Sequence, residues 1–381
     1  MQHAEQINVA KRLLQLVETT STELADAAYS QSVDEYTSSE VAAREQQVFF
    51  REQPLCVGLS HDLPAPGTYQ THDLSGVPIL LVRDLTGAFK AFLNVCRHRG
   101  AQVATGCGEA RGFTCPYHAW VYGLNGALLS RPDEASFAAL AREDFGLTAL
   151  PASERHGMLW VCPTPGPVFD LEQWLGPLDS ELSGYKLEGF HHYTSRDLTR
   201  RMNWKLVVDT FLESYHFAVL HRDSIASIFY QNLATFDAYS QHFRLVSPRK
   251  SVTQLSQKIE TEWQLLPHVV AIYVLFPGTV IVWQGEQIEL WQIYPGSTPD
   301  EARFRVSLYT PTPADSEKAR RHWDRNLELV LHVVENEDFP VGERIQQGFH
   351  CAAQTHTVFG RNEPALTHYH REITATLARA G

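Results

Sequence analysis

Two short stretches of the sequence decide the fold: residues 94–100 are NVCRHRG and residues 115–120 are CPYHAW. Each stretch contributes one cysteine and one histidine, and together they give Cys96, His98, Cys115 and His118. Two thiolates and two imidazoles can close a tetrahedral zinc site. They can equally hold a [2Fe–2S] cluster in which the cysteines bind one iron and the histidines bind the other. The four residues therefore predict a metal centre of one of these two kinds.

The distribution of the four ligands favours the iron–sulfur cluster. A zinc finger commonly pairs its cysteines on a hairpin and its histidines on a helix. Here each stretch carries one ligand of each type, and Gly100 and Pro116 indicate that both stretches are loops. A cluster of two irons requires each loop to reach both metals, which one cysteine and one histidine per loop can do.

The sequence CRHRG…CPYHAW resembles the Rieske domain of the Rieske non-heme iron oxygenases, and the resemblance extends over most of the chain. It implies the alpha (large) subunit of a terminal oxygenase, similar to ring-hydroxylating dioxygenases and to choline and carnitine oxygenases. Rieske proteins of respiratory complexes add a disulfide between the two loops, but Ala101 and Tyr117 occupy those positions here. The remaining cysteines are expected to be small buried apolar side chains: Cys56, Cys107, Cys162 and Cys351.

The texture of the sequence changes twice along the chain. Residues 1–45 are predicted to form a helical segment that packs on the catalytic domain, and residues 46–165 contain short strand-like runs broken by turn residues. The Pro-rich stretch at 163–167 marks a boundary, and residues 166–381 form the second domain. The predicted fold class is α+β, with an inserted all-β Rieske domain. The catalytic domain is expected to contain an antiparallel sheet packed by helices, which the resemblance implies to be of the helix-grip type.

A second group of polar residues follows in NWKLVVDTFLESYHFAVLH, from Asn203 to His221. On an ideal helix Asp209, Glu213 and His216 share one face at positions i, i+4 and i+7. His221 lies about 140° round that helix from His216, so one metal can bind both histidines only if the helix widens, kinks or ends. Two histidines and a carboxylate on one face are typical of non-heme Fe(II) oxygenases.

The resemblance assigns roles to these residues. It implies that His216, His221 and Asp338 hold a mononuclear Fe(II), where Asp338 belongs to the stretch ENEDF at 335–339. The alternative for that acidic stretch is a solvated helix end. The resemblance also implies that Glu213 connects His216 to the cluster ligand His118. We expect Asp209, one helical turn before Glu213, to orient the iron ligands.

The two predicted metal sites indicate a terminal oxygenase. Such an enzyme hydroxylates a small organic substrate with O2, using electrons from a separate NAD(P)H-dependent reductase, directly or through a ferredoxin. Two substrate classes stay open, an aromatic ring or an alkyl group on an amine. The resemblance implies a homotrimer with or without a small beta subunit. The alternative from another class is a Rieske electron carrier without oxygenase activity.

Substrate is expected between the sheet and the iron-binding helix of the second domain. The candidate lining residues, each of which is also a plausible plain core residue, are Phe211, Phe217, Leu220, Phe276 and Trp283.

The composition limits the partners. The chain has 381 residues with 32 Lys+Arg and 44 Asp+Glu, which gives a net charge of −12. So acidic a balance argues against nucleic acid or an anionic membrane as the main partner. No apolar run approaches the roughly 18–20 residues of a membrane-spanning helix, and a cytoplasmic protein is expected.

Overall fold

The computed structural model of the chain describes residues 1–380, which divide into two compact units. The small unit comprises Phe49–Trp174 with Lys186–Gly189. The large unit comprises Met1–Val48, Leu175–Tyr185 and the described residues from Phe190 onward. The N-terminal residues are therefore part of the large unit, although the small unit follows them in the sequence.

The N-terminal segment is mostly helical. Its elements are α1 (His3–Thr19), β1 (Tyr29–Ser32), α2 (Asp34–Thr37) and α3 (Ser39–Phe50). The strand was not expected from the sequence. It forms because a partner far along the chain, residues 356–359, pairs with it antiparallel, and four residues alone carry no helix or strand signal strong enough to reveal that pairing.

The small unit consists of three antiparallel sheets. Its strands are β2 (Leu55–Leu59), β3 (Thr68–His72), β4 (Ile79–Arg83), β5 (Phe89–Leu93), β6 (Cys107–Glu109), β7 (Phe113–Thr114), β8 (Val121–Tyr122), β9 (Leu128–Ser130), β10 (Ala149–Leu150), β11 (Ala152–Arg155) and β12 (Met158–Val161). The strand orders are β10-β5-β4-β3-β6, β11-β12-β2 and β7-β8-β9. The short helix α4 (Leu171–Leu175) ends at the boundary with the large unit.

The large unit is built on one seven-stranded antiparallel sheet with the order β13-β19-β18-β17-β16-β15-β14. Its elements are α5 (Leu178–Ser183), β13 (His191–Arg200), α6 (Trp204–Asp209), β14 (Thr235–Tyr239), β15 (His242–Pro248), β16 (Val269–Leu275), β17 (Thr279–Gln284), β18 (Gln287–Pro295), β19 (Ala302–Thr310), α7 (Glu317–Val333), α8 (Phe339–Phe349), β20 (His356–Phe359) and α9 (Pro364–Ala380). Every residue of β15 and β16 is buried, because both faces of the sheet are covered. The α+β class predicted from the sequence is confirmed. No helix within residues 1–380 is both long and apolar enough to cross a bilayer.

The prediction of one helix that carries Asp209, Glu213 and His216 on a single face is wrong, because α6 ends at Asp209. Beyond it the N–H of Leu212 bonds the carbonyl of Asp209, only three residues back. The carboxylate of Glu213 then accepts the backbone N–H groups of Tyr215 and His216. A side chain that satisfies these donors competes with continuation of the helix, so the chain turns.

Helix α7 does not end at the acidic stretch of residues 335–339. It passes through a π-helical turn at Val334–Asp338 and continues as α8. Pro340 lies in the first turn of α8, where its ring crowds the carbonyl four residues earlier and widens the preceding turn. The widening considered at the two histidines is therefore found in the segment that carries Asp338.

A buried ion pair fixes the N-terminal segment to the large unit's sheet-covering helix α6. The Lys205 ammonium lies 2.5 Å from Glu45 Oε1, and the two side chains are 0% and 1% exposed. Glu45 Oε2 also accepts the indole N–H of Trp204 at 2.8 Å. All three groups belong to the large unit.

We expect Lys205→Ala to lower the free energy of unfolding by about 3–5 kcal/mol, because it leaves the Glu45 carboxylate buried without its cation. The matched control is Lys11→Ala, which breaks an ion pair with Glu260 whose side chains are 52% and 56% exposed. That change should cost less than about 1 kcal/mol. Equal losses in the two variants, measured by denaturant unfolding, would contradict the role given to the buried pair.

Candidate functional site

The two Cys–His loops of the small unit have the same backbone design. In each loop the cysteine carbonyl accepts the N–H four residues later, and the cysteine N–H donates to the carbonyl five residues later. The residue four positions after each cysteine has a positive φ, 84° at Gly100 and 53° at Ala119. The loops therefore form a matched pair, although their Cys–His spacings differ by one residue.

The side chains of these loops fit a Rieske cluster. Cys96 and Cys115 are each 2% exposed and belong to one core cluster. The His98 and His118 rings lie 4.6 Å apart between centroids. The Nδ1 atoms of both rings are buried and have no hydrogen-bond partner within residues 1–380. Buried polar atoms are commonly hydrogen-bonded, and ligation of one iron would satisfy both nitrogens.

Two features around the loops were not predicted from the sequence. The Tyr122 hydroxyl lies 3.2 Å from Cys96 Sγ and accepts the N–H of Arg97 at 3.0 Å. Hydrogen bonds to a ligating sulfur change the potential of an iron–sulfur cluster. The His98 ring stacks on Trp120, with centroids 4.9 Å apart. Burial lowers the pKa of His98, and His118 and Arg99 lower it further, which favours the neutral imidazole that a metal binds.

In the large unit the turn after α6 brings the two later histidines together. Their Nε2 atoms, those of His216 and His221, are 3.1 Å apart. Asp338 Oδ1 lies 3.5 Å from the first and 3.2 Å from the second. Neighbouring ligand atoms on an octahedral metal are roughly 3 Å apart when each bond is about 2.1 Å. The three atoms therefore fit one face of a metal ion, and the Asp338 side chain is only 5% exposed rather than a solvated helix end.

Two carboxylates orient the histidines in parallel ways. Glu213 Oε1 accepts the Nδ1–H of His216, and Glu337 Oε2 accepts the Nδ1–H of His221 at 2.5 Å. Since an ionised carboxylate can only accept, Nδ1 carries the hydrogen in each ring and Nε2 keeps its lone pair for a metal. Burial lowers the pKa of His221, but Asp338 and Glu337 outweigh it and the net pKa is raised.

Glu337 is the residue of this site that sequence reasoning missed. It also accepts the Ser224 hydroxyl at 2.8 Å, so both of these hydrogen-bond donors lie in the turn that contains His221. The sequence signal was its position next to Asp338. On a regular helix adjacent residues diverge by about 100°, which made Glu337 look like a solvent-facing neighbour.

Asp209 is placed differently from the expectation. Its carboxylate accepts the Tyr36 hydroxyl at 3.1 Å and pairs with His370 Nε2 at 2.9 Å. Neither His216 nor His221 is among its hydrogen-bond partners in residues 1–380. Helix α6 ends at Asp209, and the side chain faces α2 and α9, so the expected role of Asp209 in orienting the iron ligands stays a prediction.

A cavity of about 550 Å³ opens beside the three converging atoms. His216, His221 and Asp338 are part of its lining. Its floor consists of two rows of side chains that cross β15, β16, β17 and β18 in register: Leu245, Ile272, Val282 and Glu289 in one, and Ser247, Val270, Gln284 and Gln287 in the other. The first row is apolar except at Glu289.

The expected lining residues are correct in part. Phe211 and Phe217 line the cavity, and Phe217 packs against Phe229 with centroids 5.7 Å apart. Leu220 is not part of the lining. Phe276 lies against Tyr369 and Trp283 against Tyr185. Strand alternation directs Trp283 away from the cavity, because it lies between the lining residues Val282 and Gln284. Phe276 follows the last residue of β16 and is not part of the lining.

The four remaining cysteines divide evenly. Cys56 is buried and Cys162 is half-buried, whereas Cys107 and Cys351 are exposed. The prediction of four buried side chains is therefore wrong for the latter two. Cys107 lies in the short strand β6 at the end of its sheet, and Cys351 follows the end of α8, so neither position is covered.

The comparisons with known proteins agree with both centres. The profile of the Rieske [2Fe-2S] domain matches residues 53–145, and that of the ring hydroxylating alpha subunit (catalytic domain) matches residues 187–379. The chain is 32% identical over 199 residues to the glycine betaine monooxygenase oxygenase subunit of Chromohalobacter salexigens, covering 51% of this chain and 43% of that protein. It is 33% identical over 182 residues to the large oxygenase component of the naphthalene 1,2-dioxygenase system of Pseudomonas putida, covering 44% of this chain and 40% of that protein. The matches thus span less than half the length of these two relatives.

A solved structure shows the same fold. The quaternary ammonium Rieske monooxygenase CntA in complex with L-carnitine has a TM-score of 0.80 and 19% sequence identity, and the similarity covers 92% of this chain and 96% of that one. The family's catalytic domain binds mononuclear iron and its Rieske domain binds a [2Fe–2S] cluster. Since the catalytic-domain profile matches 187–379, half of the sequence, the chain belongs to the family of ring-hydroxylating alpha subunits.

Proposed function

We propose that this chain is the terminal oxygenase component of a Rieske system, which hydroxylates a small organic substrate with O2. The observation that carries the proposal is the approach of His216 Nε2, His221 Nε2 and an Asp338 oxygen to within 4.8 Å of one another at the wall of a cavity. The names of the two relatives, an oxygenase subunit and a large oxygenase component, support the same class.

The residues of the large unit prepare the site for ferrous iron. When bound by two histidines and a carboxylate, such iron activates oxygen toward organic molecules. Glu213 and Glu337 fix the tautomers of the two histidines, so both Nε2 lone pairs face the same point. The apolar rings of Phe211 and Phe217 exclude water from the adjoining cavity, where the substrate would lie.

The small unit supplies the electrons. In our proposal Cys96 and Cys115 bind one iron of the cluster, and the orphaned Nδ1 atoms of His98 and His118 bind the other. The cluster receives its electrons from a separate NAD(P)H-dependent reductase, directly or through a ferredoxin. The sequence has no G-x-G-x-x-G motif opening a βαβ unit, which supports a separate reductase.

Electron transfer between the sites is proposed to cross a subunit boundary. The resemblance implies a homotrimer in which Glu213 connects His216 to His118 of the partner subunit. The contacts of Glu213 within the chain fit one end of that connection, because its carboxylate already holds Nδ1 of His216.

The electron-carrier alternative is not favoured. A carrier needs neither a second converging ligand set nor a large cavity beside it, and the chain has both. Of the two substrate classes, an amine is favoured over an arene, since the cavity floor contains the buried carboxyl group of Glu289. A hydrocarbon ring offers no hydrogen bond or charge to such a group, so a buried carboxyl beside it would be unfavourable.

His216→Ala tests the proposed function. We expect the iron content to fall from about three to about two atoms per chain, the visible spectrum of the cluster to persist, and O2-dependent product formation to stop. The control is His322→Ala, which removes another histidine from the cavity lining but not from the metal centre, and should keep all the iron. Full iron content and continued turnover in the His216 variant would refute the iron assignment.

Glu213→Gln and Glu337→Gln form a matched pair, since each neutralises one carboxylate behind one histidine. We expect both variants to retain iron and cluster, because an amide oxygen can still accept the Nδ1–H. Only Glu213→Gln should slow the oxidation of the reduced cluster in a single turnover, by about tenfold or more. Equal slowing in both would show a general effect of charge on the iron, and would rule out Glu213 as the connection.

A further inference from the structure

We propose that Glu289 is the specificity-determining residue of the cavity, and that it selects substrates with a positively charged nitrogen that still bears a hydrogen. This inference rests on the proposed function, because it deals with the cavity beside the iron ligands. It identifies a chemical class, protonated amines, and the side chain that recognises it.

Glu289 lies on the floor of the cavity in otherwise apolar surroundings. In register across the sheet its neighbours in the row are Val282, Ile272 and Leu245. The residue is 2% exposed and forms part of the lining. An acidic side chain here can meet only what enters the cavity or what the neighbouring side chains offer.

The neighbouring side chains offer two neutral donors. Oε1 accepts the side-chain N–H of Gln287 at 3.2 Å and Oε2 accepts the indole N–H of Trp291 at 3.2 Å. The Gln287 amide is itself oriented, because its oxygen accepts Asn326 Nδ2 at 2.9 Å. Each carboxyl oxygen has one partner and keeps a further lone pair for a ligand.

No cation compensates this carboxyl group. Within residues 1–380 Glu289 forms no ion pair with a lysine, arginine or histidine. Arg249 also lines the cavity, but its guanidinium lies over the Phe229 ring at 5.6 Å and its Nε is buried without a partner. The Glu289 carboxyl group and the Arg249 guanidinium therefore do not pair with each other. A ligand of opposite charge can bind either of them.

Burial of an uncompensated acid is costly, which is why the position is informative. Burial raises the pKa of Glu289 to about 7, even though the bonds from Trp291 and Gln287 lower it. The folded protein would be more stable with an amide or an apolar residue at this position. A charge kept at such cost inside a cavity is typical of a functional site.

The chemistry of Glu289 favours an ammonium group with a hydrogen. A carboxylate forms its strongest bonds with charged N–H donors. A quaternary ammonium offers no N–H and is commonly recognised by a cage of aromatic rings. Each aromatic ring of the cavity lining packs against another ring: Phe217 against Phe229, Trp323 against His322, and Phe211 against Trp291, which is not part of the lining.

The test is equilibrium binding to the anaerobic, metal-loaded enzyme, measured by calorimetry with three probes of similar shape. N,N-dimethylethanolamine carries a charged N–H, choline carries a charge without N–H, and isoamyl alcohol carries neither. We expect the wild type to bind the first probe at least about tenfold more tightly than the other two. Glu289→Gln should remove this preference and leave the affinity for isoamyl alcohol unchanged.

The matched control is Glu286→Gln, which removes an exposed carboxylate from the rim of the same cavity and should keep the preference. Choline bound as tightly as dimethylethanolamine, an unchanged preference in Glu289→Gln, or an equal loss for all three probes would each overturn the proposal. Because no turnover is measured, these outcomes leave the oxygenase assignment intact, whereas loss of iron binding would be seen separately in the metal content.

A second measurement uses the pH dependence of thermal unfolding. Since the pKa of Glu289 is raised from 4.5 unfolded to about 7 folded, the wild type should lose stability relative to Glu289→Gln as the pH rises between these values. The difference in Tm should therefore be larger at about pH 8 than at about pH 5, and dimethylethanolamine should reduce it. A difference independent of pH would contradict the uncompensated carboxyl group.

The variant comparison isolates Glu289 from the other titratable groups. Those that line the cavity are Glu213, His216, His221, Arg249, Glu286, His322 and Asp338. These groups are present in the wild type and in Glu289→Gln. The titration of each group that does not contact Glu289 therefore contributes equally to both Tm values and cancels in their difference.

Discussion

Two imidazole nitrogens that face each other at 3.1 Å, with a carboxylate oxygen beside both, are the constraint on which the large unit depends. Lone pairs directed at one another at that distance repel unless a cation lies between them. The surrounding protein holds them there nevertheless, because Glu213 and Glu337 occupy the opposite nitrogen of each ring. The site is thus pre-organised by its hydrogen bonds to receive a metal ion.

Three irregularities of the backbone make this arrangement possible. Helix α6 stops at Asp209, the carboxylate of Glu213 caps the next turn, and a π-helical turn precedes α8. A regular helix would have separated His216 from His221 by about 140°. The π-helical turn carries Glu337 and Asp338, and both carboxylates contact the His221 ring. The regular seven-stranded sheet, by contrast, supplies the flat floor against which these turns are set.

The contrast explains what the sequence could reveal. The four cluster ligands lie in two loops, and within each loop they are only two or three residues apart, so the sequence alone shows the pattern. These ligands are Cys96, His98, Cys115 and His118. The antiparallel sheet of the second domain was expected too, since β16 to β19 are apolar runs between turn residues. The end of α6 was not visible, because the bonds that stop it compete with helical bonds of similar strength. Glu337 and Glu289 were missed because their roles depend on partners more than a hundred residues away or on strand register.

The importance of Glu289 follows from a comparison of its partners with those of two other buried acids, Glu45 and Glu181. Glu45 is paired with the Lys205 ammonium, and Glu181 is paired with Arg244 at 2.7 Å. These two buried carboxylates are therefore each compensated by a cation. In the part of the chain that the structure describes, Glu289 alone of these three has only neutral donors. Its two donors and the Asn326 behind them align the carboxyl group without neutralising it. A structural carboxylate needs neutralisation, whereas a recognition group needs alignment and an empty place for its counter-charge, and the surroundings of Glu289 meet the second requirement.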